Sequence, residues 1–416
     1  MFSKSSRWKL ALYFGAMLVL QSSVLWQARR SVPAGLPDFS IFYTAAKIVA
    51  DGQGHHLYDD NLQETVQRSF AEAAVERRGT ILPFNHPPFE AVLFVPLAGL
   101  PYLTAYFIWA GVNLGLLFGL LSLLRRTFPS LGQEPFWLWC LAALAFFPIF
   151  IALIQGQDSI LLLFCYAMAF AFLKRDAEGQ AGAWLALGLF KFNLILPFVL
   201  PFFVLWRRKF VGGFTAIAVL LTALGAIVTG WLGLLNYPKY VWQTEHDRKY
   251  VWNMPHGNIA NLRGMVQAVF HGVEKPLPKI LLLVVSAILV VVIVLVWRRA
   301  QLLSPSAFSL AFALGLMATV LVSYHIYVHD LSILFPALLA VLEFLSHAPA
   351  IAPWKKSGLY ACIFLLFCSP VYLVLSLRFG QLQLLGWVLL ALVLILLSST
   401  TGERCAATAP PASADK

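Results

Sequence analysis

The sequence predicts an all-α polytopic membrane protein of about 12 transmembrane helices, with amphipathic surface helices in its first outer loop. Three observations carry that prediction. Hydrophobic residues make up 60% of the 416 and charged residues only 12%, with mean hydropathy +0.77, whereas a soluble domain carries about 25% charged residues. Apolar runs long enough to cross a bilayer recur along the whole chain. Between them sit short basic clusters, Arg125-Arg126, Lys174-Arg175, Arg207-Arg208-Lys209, Arg298-Arg299 and Lys355-Lys356. This is the positive-inside pattern, so the net charge of +11 reads as topology and not as a nucleic-acid surface.

The elements follow in order. Lys4, Arg7 and Lys9 precede an apolar run to Trp26, with no small-residue cleavage site after it and Arg29-Arg30 next, so the run is read as a retained first span. Further spans are expected near 102–124, 135–153, 157–173, 210–231, 278–298, 306–325, 329–346, 357–375 and 381–399. Residues 88–124 are too long for one simple pass and break at Leu100-Pro101; they are read as a dip followed by one crossing. Residues 181–206, broken at Lys191-Phe192-Asn193, are read as two short crossings. With those choices all five basic clusters between the spans fall on the cytoplasmic side, together with both termini; Arg29-Arg30 alone is misplaced, outweighed by Lys4, Arg7 and Lys9. Residues 1–400 are one membrane domain, 28–88 its first outer loop, 232–277 its second, and 401–416 a disordered cytoplasmic tail. The five cysteines avoid both polar loops, so no disulfide is expected.

In the first outer loop, Phe39, Phe42, Tyr43, Ala46 and Ile48-Val49 recur at near-helical spacing after Asp38. Residues 59–78, with Leu62, Val66, Phe70 and Ala74 on one face, suit a helix lying on the membrane surface.

The outward segments hold the ionisable groups, which are costly near lipid and tend to mark function. Asp38 is either a helix cap or a partly desolvated base. Asn85-His86-Pro87-Pro88 is a rigid junction or a presentation of His86 to the outer interface. Gln155-Gly156-Gln157-Asp158 is a plain reversal or a set of amide and carboxylate groups for a hydroxylated ligand. Lys191 breaks an apolar run beside Asn193; it snorkels or holds a phosphate as a point charge, and phosphate is preferred because a broken helix frees backbone amides. Asn258 and Arg263 lie in the second outer loop, Arg263 as a second phosphate ligand or a solvated arginine. His325 and His329 share a face if their segment is helical; a third ligand is lacking, so hydrogen bonding to sugar or phosphate is preferred over metal. No P-loop, GxGxxG or GxSxG pattern is present, which disfavours nucleotide-driven chemistry.

Several of these segments together resemble glycosyltransferase family 87, a set of GT-C-type membrane transferases related to polyprenyl-phosphate-mannose-dependent mannosyltransferases. The carrying residues are Asp38-Phe39-Ser40-Ile41-Phe42-Tyr43-Thr44-Ala45-Ala46, Asp51-Gly52, Leu57-Tyr58-Asp59, His86-Pro87-Pro88-Phe89 with Pro96-Leu97, Gln155-Gly156-Gln157, and Ala181-Gly182 to Lys191 closed by Arg207-Arg208. The resemblance implies a GT-C-like fold and inverting transfer of a hexose, mannose by preference. The donor would be a polyprenyl-phosphate sugar and the acceptor a lipid or glycan at the outer face of the cell membrane. Asp38 would be the general base, with Lys191 and Arg263 beside the leaving phosphate. Tyr43, His86, Gln157, Asp158, Asn193, Asn258, His325 and His329 complete the expected substrate contacts. Membrane lipids are expected partners; nucleic acid is not, and no cofactor is indicated, with a divalent cation left as an open alternative. The chain departs from the family pattern at Asp158, where an asparagine is usual, and at Tyr324, where a proline is expected after Ser323. A transporter or flippase of a lipid-linked solute suits the broken helices, but no internal repeat is visible and the polar groups gather near one face. A non-catalytic scaffold is the third alternative.

Overall fold

A computed structural model describes residues 3–246, 259–271, 275–300, 305–347 and 351–407, and among them the secondary structure is helical, with no β-strand. Helix α1 (Lys4–Ser31) is followed by α2 (Phe39–Ala50) and α3 (Asp60–Arg78), which fill the first polar segment. Then α4 (Pro88–Phe94) and a 3-10 turn lead across Pro101 into α5 (Tyr102–Thr127), the dip and crossing expected from the break at Leu100-Pro101. Next come α6 (Phe136–Ala145) and α7 (Phe147–Gln155), α8 (Ser159–Leu173), α9 (Glu178–Leu187), α10 (Phe192–Val204) and α11 (Arg208–His246). The chain closes with α12 (Leu262–Phe270), α13 (Pro276–Ala300), α14 (Pro305–Val322), α15 (Leu334–His347), α16 (Pro353–Phe367), α17 (Ser369–Leu373) and α18 (Gln383–Ala407). Prolines in the first turn of α4, α7, α16 and α17 start helices where a missing N–H costs nothing.

By length and composition six of the described helices suit a membrane crossing, or eight if the α6–α7 pair, bent by 72°, and the α16–α17 pair, bent by 61°, each count as one. Shorter apolar helices of 10–17 residues, among them Ser159–Leu173, Phe308–Val322 and Gln383–Ser399, are also present. Large apolar side chains face outward on the long helices; Ile227 is 80% exposed and Leu12 72%. Such a surface would be a liability in water and is the ordinary state in lipid.

Two differences from expectation concern boundaries. The second outer loop is partly helical, because α11 passes a kink at Gly230 (φ +71°) and continues to His246 before α12. The tail begins later than residue 401, since α18 runs to Ala407; the rest of it lies outside the described residues.

The polar groups sort to two ends. At one end Arg7 pairs with Glu134, Arg207 with Glu178, and Lys174 Nζ donates to the Thr127 carbonyl. Glu343 accepts there from the backbone N–H groups of Ser130 and Leu131 at 3.0 and 3.1 Å. The other end holds Asp38, His86, the Gln155–Asp158 turn, Lys191 and Asp330. Helices α8, α9 and α10 connect the ends. Phe164 packs on Trp184, and Lys191 meets Ser159, so α9 runs antiparallel to α8. Tyr166 Oη donates to the Leu194 carbonyl and its ring packs on Phe198, so α10 runs back beside α8. The apolar stretch Glu178–Val204 therefore turns back at Lys191, where the sequence showed a break. Close approach of α9 and α11 needs small residues: a Cβ at Gly182 would lie 2.2 Å from the Phe210 carbonyl oxygen, and one at Gly213 2.0 Å from that of Gly179.

Candidate active site

The site is assembled by four short backbone features. The first is the start of α2. Asp38 occupies the N-cap position, yet its side chain makes no capping hydrogen bond. Its Oδ2 instead accepts from Gln157 Nε2 at 2.7 Å, and its backbone N–H donates to Gln155 Oε1 at 3.2 Å. The side chain has thus been drawn off the helix and onto the Gln155–Asp158 turn.

That turn is the second feature. Tyr106 Oη donates to the Ile154 carbonyl at 2.7 Å, Trp109 Nε1 to Gly156 at 2.9 Å and Asn113 Nδ2 to Gln157 at 3.3 Å, all from α5. Gly156 has φ +60°, and a Cβ there would stand 2.8 Å from Cβ of Phe39. Only glycine both makes this left-handed turn and lets it seat against α2 beside Asp38.

The third feature is the segment before α4. Buried Gln63 and Gln67 of α3 clamp it: Gln63 Oε1 accepts from the Phe84 N–H at 2.8 Å, and Gln67 bonds both the N–H and the carbonyl of Leu82. Leu62, Val66 and Phe70 only half-bury, so the fully buried edge of α3 is one residue round from the apolar stripe read from sequence. The clamp aims His86 inward. Its Nδ1 lies 2.8 Å from Glu90 Oε2 and 3.8 Å from Asp158 Oδ2. Burial drives the imidazole pKa down to about 4, against the upward pull of Asp158, so the ring is neutral near pH 7. His86 therefore faces the interior and not the outer interface expected from Pro87-Pro88.

The fourth feature is the α9–α10 reversal with the segment before α15. Lys191, 7% exposed, does not offer a free ammonium to phosphate. Its Nζ sits 2.9 Å from Asp158 Oδ1, 2.6 Å from Asp330 Oδ1, 2.9 Å from Ser159 Oγ and 3.5 Å from Gln157 Oε1. Gln157 thus joins Asp38 to Lys191 through one amide. Asp330 is held further by the Tyr327 N–H at 2.9 Å, with His329 Nε2 3.5 Å away.

Other predicted residues lie at the margin or elsewhere. Asn193 Nδ2 donates to the His325 carbonyl at 2.7 Å and Asn261 Nδ2 to that of Ser323 at 2.6 Å, which pins the 323–325 strip. Arg263 donates to the Tyr324 carbonyl of that strip at 3.3 Å and stacks on the Tyr324 ring at 4.1 Å. Among the described residues no ion pair joins it to the Lys191 cluster. His325 and His329 do not share a helical face, because 323–327 is irregular and a 3-10 turn starts at His329; His325 packs against the Tyr327 ring at 4.2 Å. Tyr43 is removed from the cluster, its hydroxyl donating to the Leu100 carbonyl at 2.7 Å within an aromatic group of Phe70 and Tyr102. Asn258 lies outside the described residues.

Sequence reading missed Glu90, Ser159, Asp330 and Arg78 as site residues. Glu90 and Asp330 carried a signal, being acids inside apolar runs. Arg78 closes α3, donates to the Gly35 and Leu36 carbonyls just before Asp38, and has a pKa lowered by burial against the opposing charge of Asp38. It is a cation close to Asp38 that the sequence reading did not single out.

The apolar helices, with this buried, charged cluster at one end of the bundle, define a membrane-integral protein. The model of glycosyltransferase family 87 matches residues 84–323, more than half of the chain, and the chain belongs to that family. It is accordingly a glycosyltransferase, acting on a sugar donor and an acceptor. No curated protein and no solved structure matches it.

Proposed function

We propose that the chain transfers a hexose, with mannose the expected sugar, from a polyprenyl-phosphate donor to a lipid or glycan acceptor at the outer face of the cell membrane. Both termini are cytoplasmic in this reading. Asp38 is the general base: it takes the proton of an acceptor hydroxyl as that oxygen bonds to the anomeric carbon. The bond from that carbon to the phosphate oxygen breaks, polyprenyl phosphate leaves as an anion, and the sugar inverts. An anionic leaving group needs no strong general acid. His86, Gln157, Asp158, Lys191, Asn193, His325 and His329 shape the sugar and phosphate pocket, and Arg263 lies toward its rim. Lys191 acts chiefly by fixing Gln157, Asp158 and Asp330 in place.

The observation that supports this most is the Asp38 side chain. It forgoes its helix cap and is held by Gln157 in contact with the Lys191 cluster. A base must be positioned before it is tuned, and that amide positions it. The test is transfer of radiolabelled sugar from polyprenyl-phosphate mannose by membranes containing Asp38→Asn. Asparagine retains an oxygen to accept from Gln157, so the fold is kept while the base is lost, and the rate should fall about 10²- to 10⁴-fold. Transfer at the parental rate overturns the assignment, and uptake of a lipid-linked solute with no sugar transfer would return the transporter reading.

A further inference from the structure

The catalytic reading leaves a charge problem unsolved. Glu90, Asp158 and Asp330 are three buried carboxyl groups around one ammonium, Lys191. Unless a proton or a cation sits among them, the excess negative charge in such a desolvated site is costly, and it would repel an anionic phosphate donor. Nor does Lys191 relieve this, since its donors are already taken by Asp158, Asp330 and Ser159.

We propose that His86, Glu90 and Asp158 bind a divalent metal ion, Mn²⁺ by the chemistry of the donors. One ligand atom from each residue lies within 4.8 Å of the others, with separations from His86 Nδ1 of 2.8 and 3.8 Å to the two carboxylates. Ligands roughly 2.1 Å from an ion stand about 3 Å apart at right angles and about 4.2 Å apart when opposite, so small rotations suffice. The oxygens are also ready. Asp158 Oδ1 faces Lys191 while Oδ2 turns toward His86; Oδ2 and Glu90 Oε1 are buried with no hydrogen-bond donor. Two acceptors facing each other without a donor between them require a cation or a proton. One imidazole with two carboxylates suits Mn²⁺, between oxygen-loving Mg²⁺ and imidazole-loving Zn²⁺. Three protein ligands leave coordination positions open, which is where phosphate oxygens of the donor would bind. Ion binding stands by itself; its part in phosphate recognition rests on the transferase reading.

The experiment is a Mn²⁺ titration of the full-length, chelator-stripped protein in detergent, following free Mn²⁺ by electron paramagnetic resonance, with Mg²⁺ and Zn²⁺ as competitors. The expected result is one ion per chain, with affinity at least tenfold weaker in Glu90→Gln and in His86→Gln. Elution profile and thermal unfolding establish that each variant is folded, and Asp158→Asn replaces any that is not. Absence of stoichiometric binding up to millimolar Mn²⁺, or equal affinity in parent and variants, overturns the site and assigns the Glu90–Asp158 contact to a shared proton. Because no sugar is transferred in this assay, its failure is separate from the outcome of Asp38→Asn.

Discussion

Replacing Lys191 with methionine is the sharpest probe of how the site is held together. The change keeps most of the side-chain volume and deletes the ammonium that lies 2.6 Å from Asp330 and 2.9 Å from Asp158. Both carboxylates stay buried, at 3% and 0% exposure, and neither can reach water without moving a helix end. Removing one partner of a buried ion pair costs about 3–5 kcal/mol, because the remaining charge is uncompensated. With two carboxylates stranded the upper part of that range applies. The assay is thermal unfolding in detergent followed by tryptophan fluorescence, where about 4 kcal/mol corresponds to roughly 5 °C for a chain of this length. The companion variant, Lys191→Met with Asp330→Asn, removes one of the stranded charges and should recover about half of the loss, a coupling well above 1 kcal/mol. If Lys191→Met unfolds at the parental temperature, or if the double variant simply adds the two single losses, the lysine-centred cluster is not what joins α8, α10 and α15.

Two predictions concern the remainder of the fold. Glu343→Ala strips two charge-assisted hydrogen bonds from the Ser130 and Leu131 N–H groups; it should cost about 2–3 kcal/mol in the same unfolding assay while sugar transfer per folded molecule stays at the parental rate. Gly182→Leu puts a Cβ 2.2 Å from the Phe210 carbonyl oxygen and should lower stability by about 3 kcal/mol or more by forcing α9 from α11, read as loss of folded yield, whereas Gly212→Ala, which meets nothing within 4 Å, should be silent.

The sequence by itself determined the solvent and the secondary structure. Apolar runs of bilayer length, punctuated by basic pairs, admit only helices in lipid, since each backbone group must be satisfied within its own segment. It also located the breaks at Leu100-Pro101 and Lys191, where proline or charge interrupts an apolar run, and the helical nature of 39–50 and 60–78. It named Asp38, His86, Gln157, Asp158 and Lys191, because ionisable and amide groups stand out against an apolar background.

Which partners those groups choose was decided only by tertiary structure. Periodicity could not tell whether Asp38 caps α2 or meets Gln157, since both need only an acid at the start of a helix. Nor could it show that Lys191 spends its charge on Asp158 and Asp330, the second of them 139 positions along the chain. Glu90 becomes a ligand candidate because the glutamines of α3 turn His86 inward, and Arg78 comes close to Asp38 because α3 folds back over the start of α2. Charges couple over a few ångströms of space, and spacing along a sequence fixes such distances only within one helix.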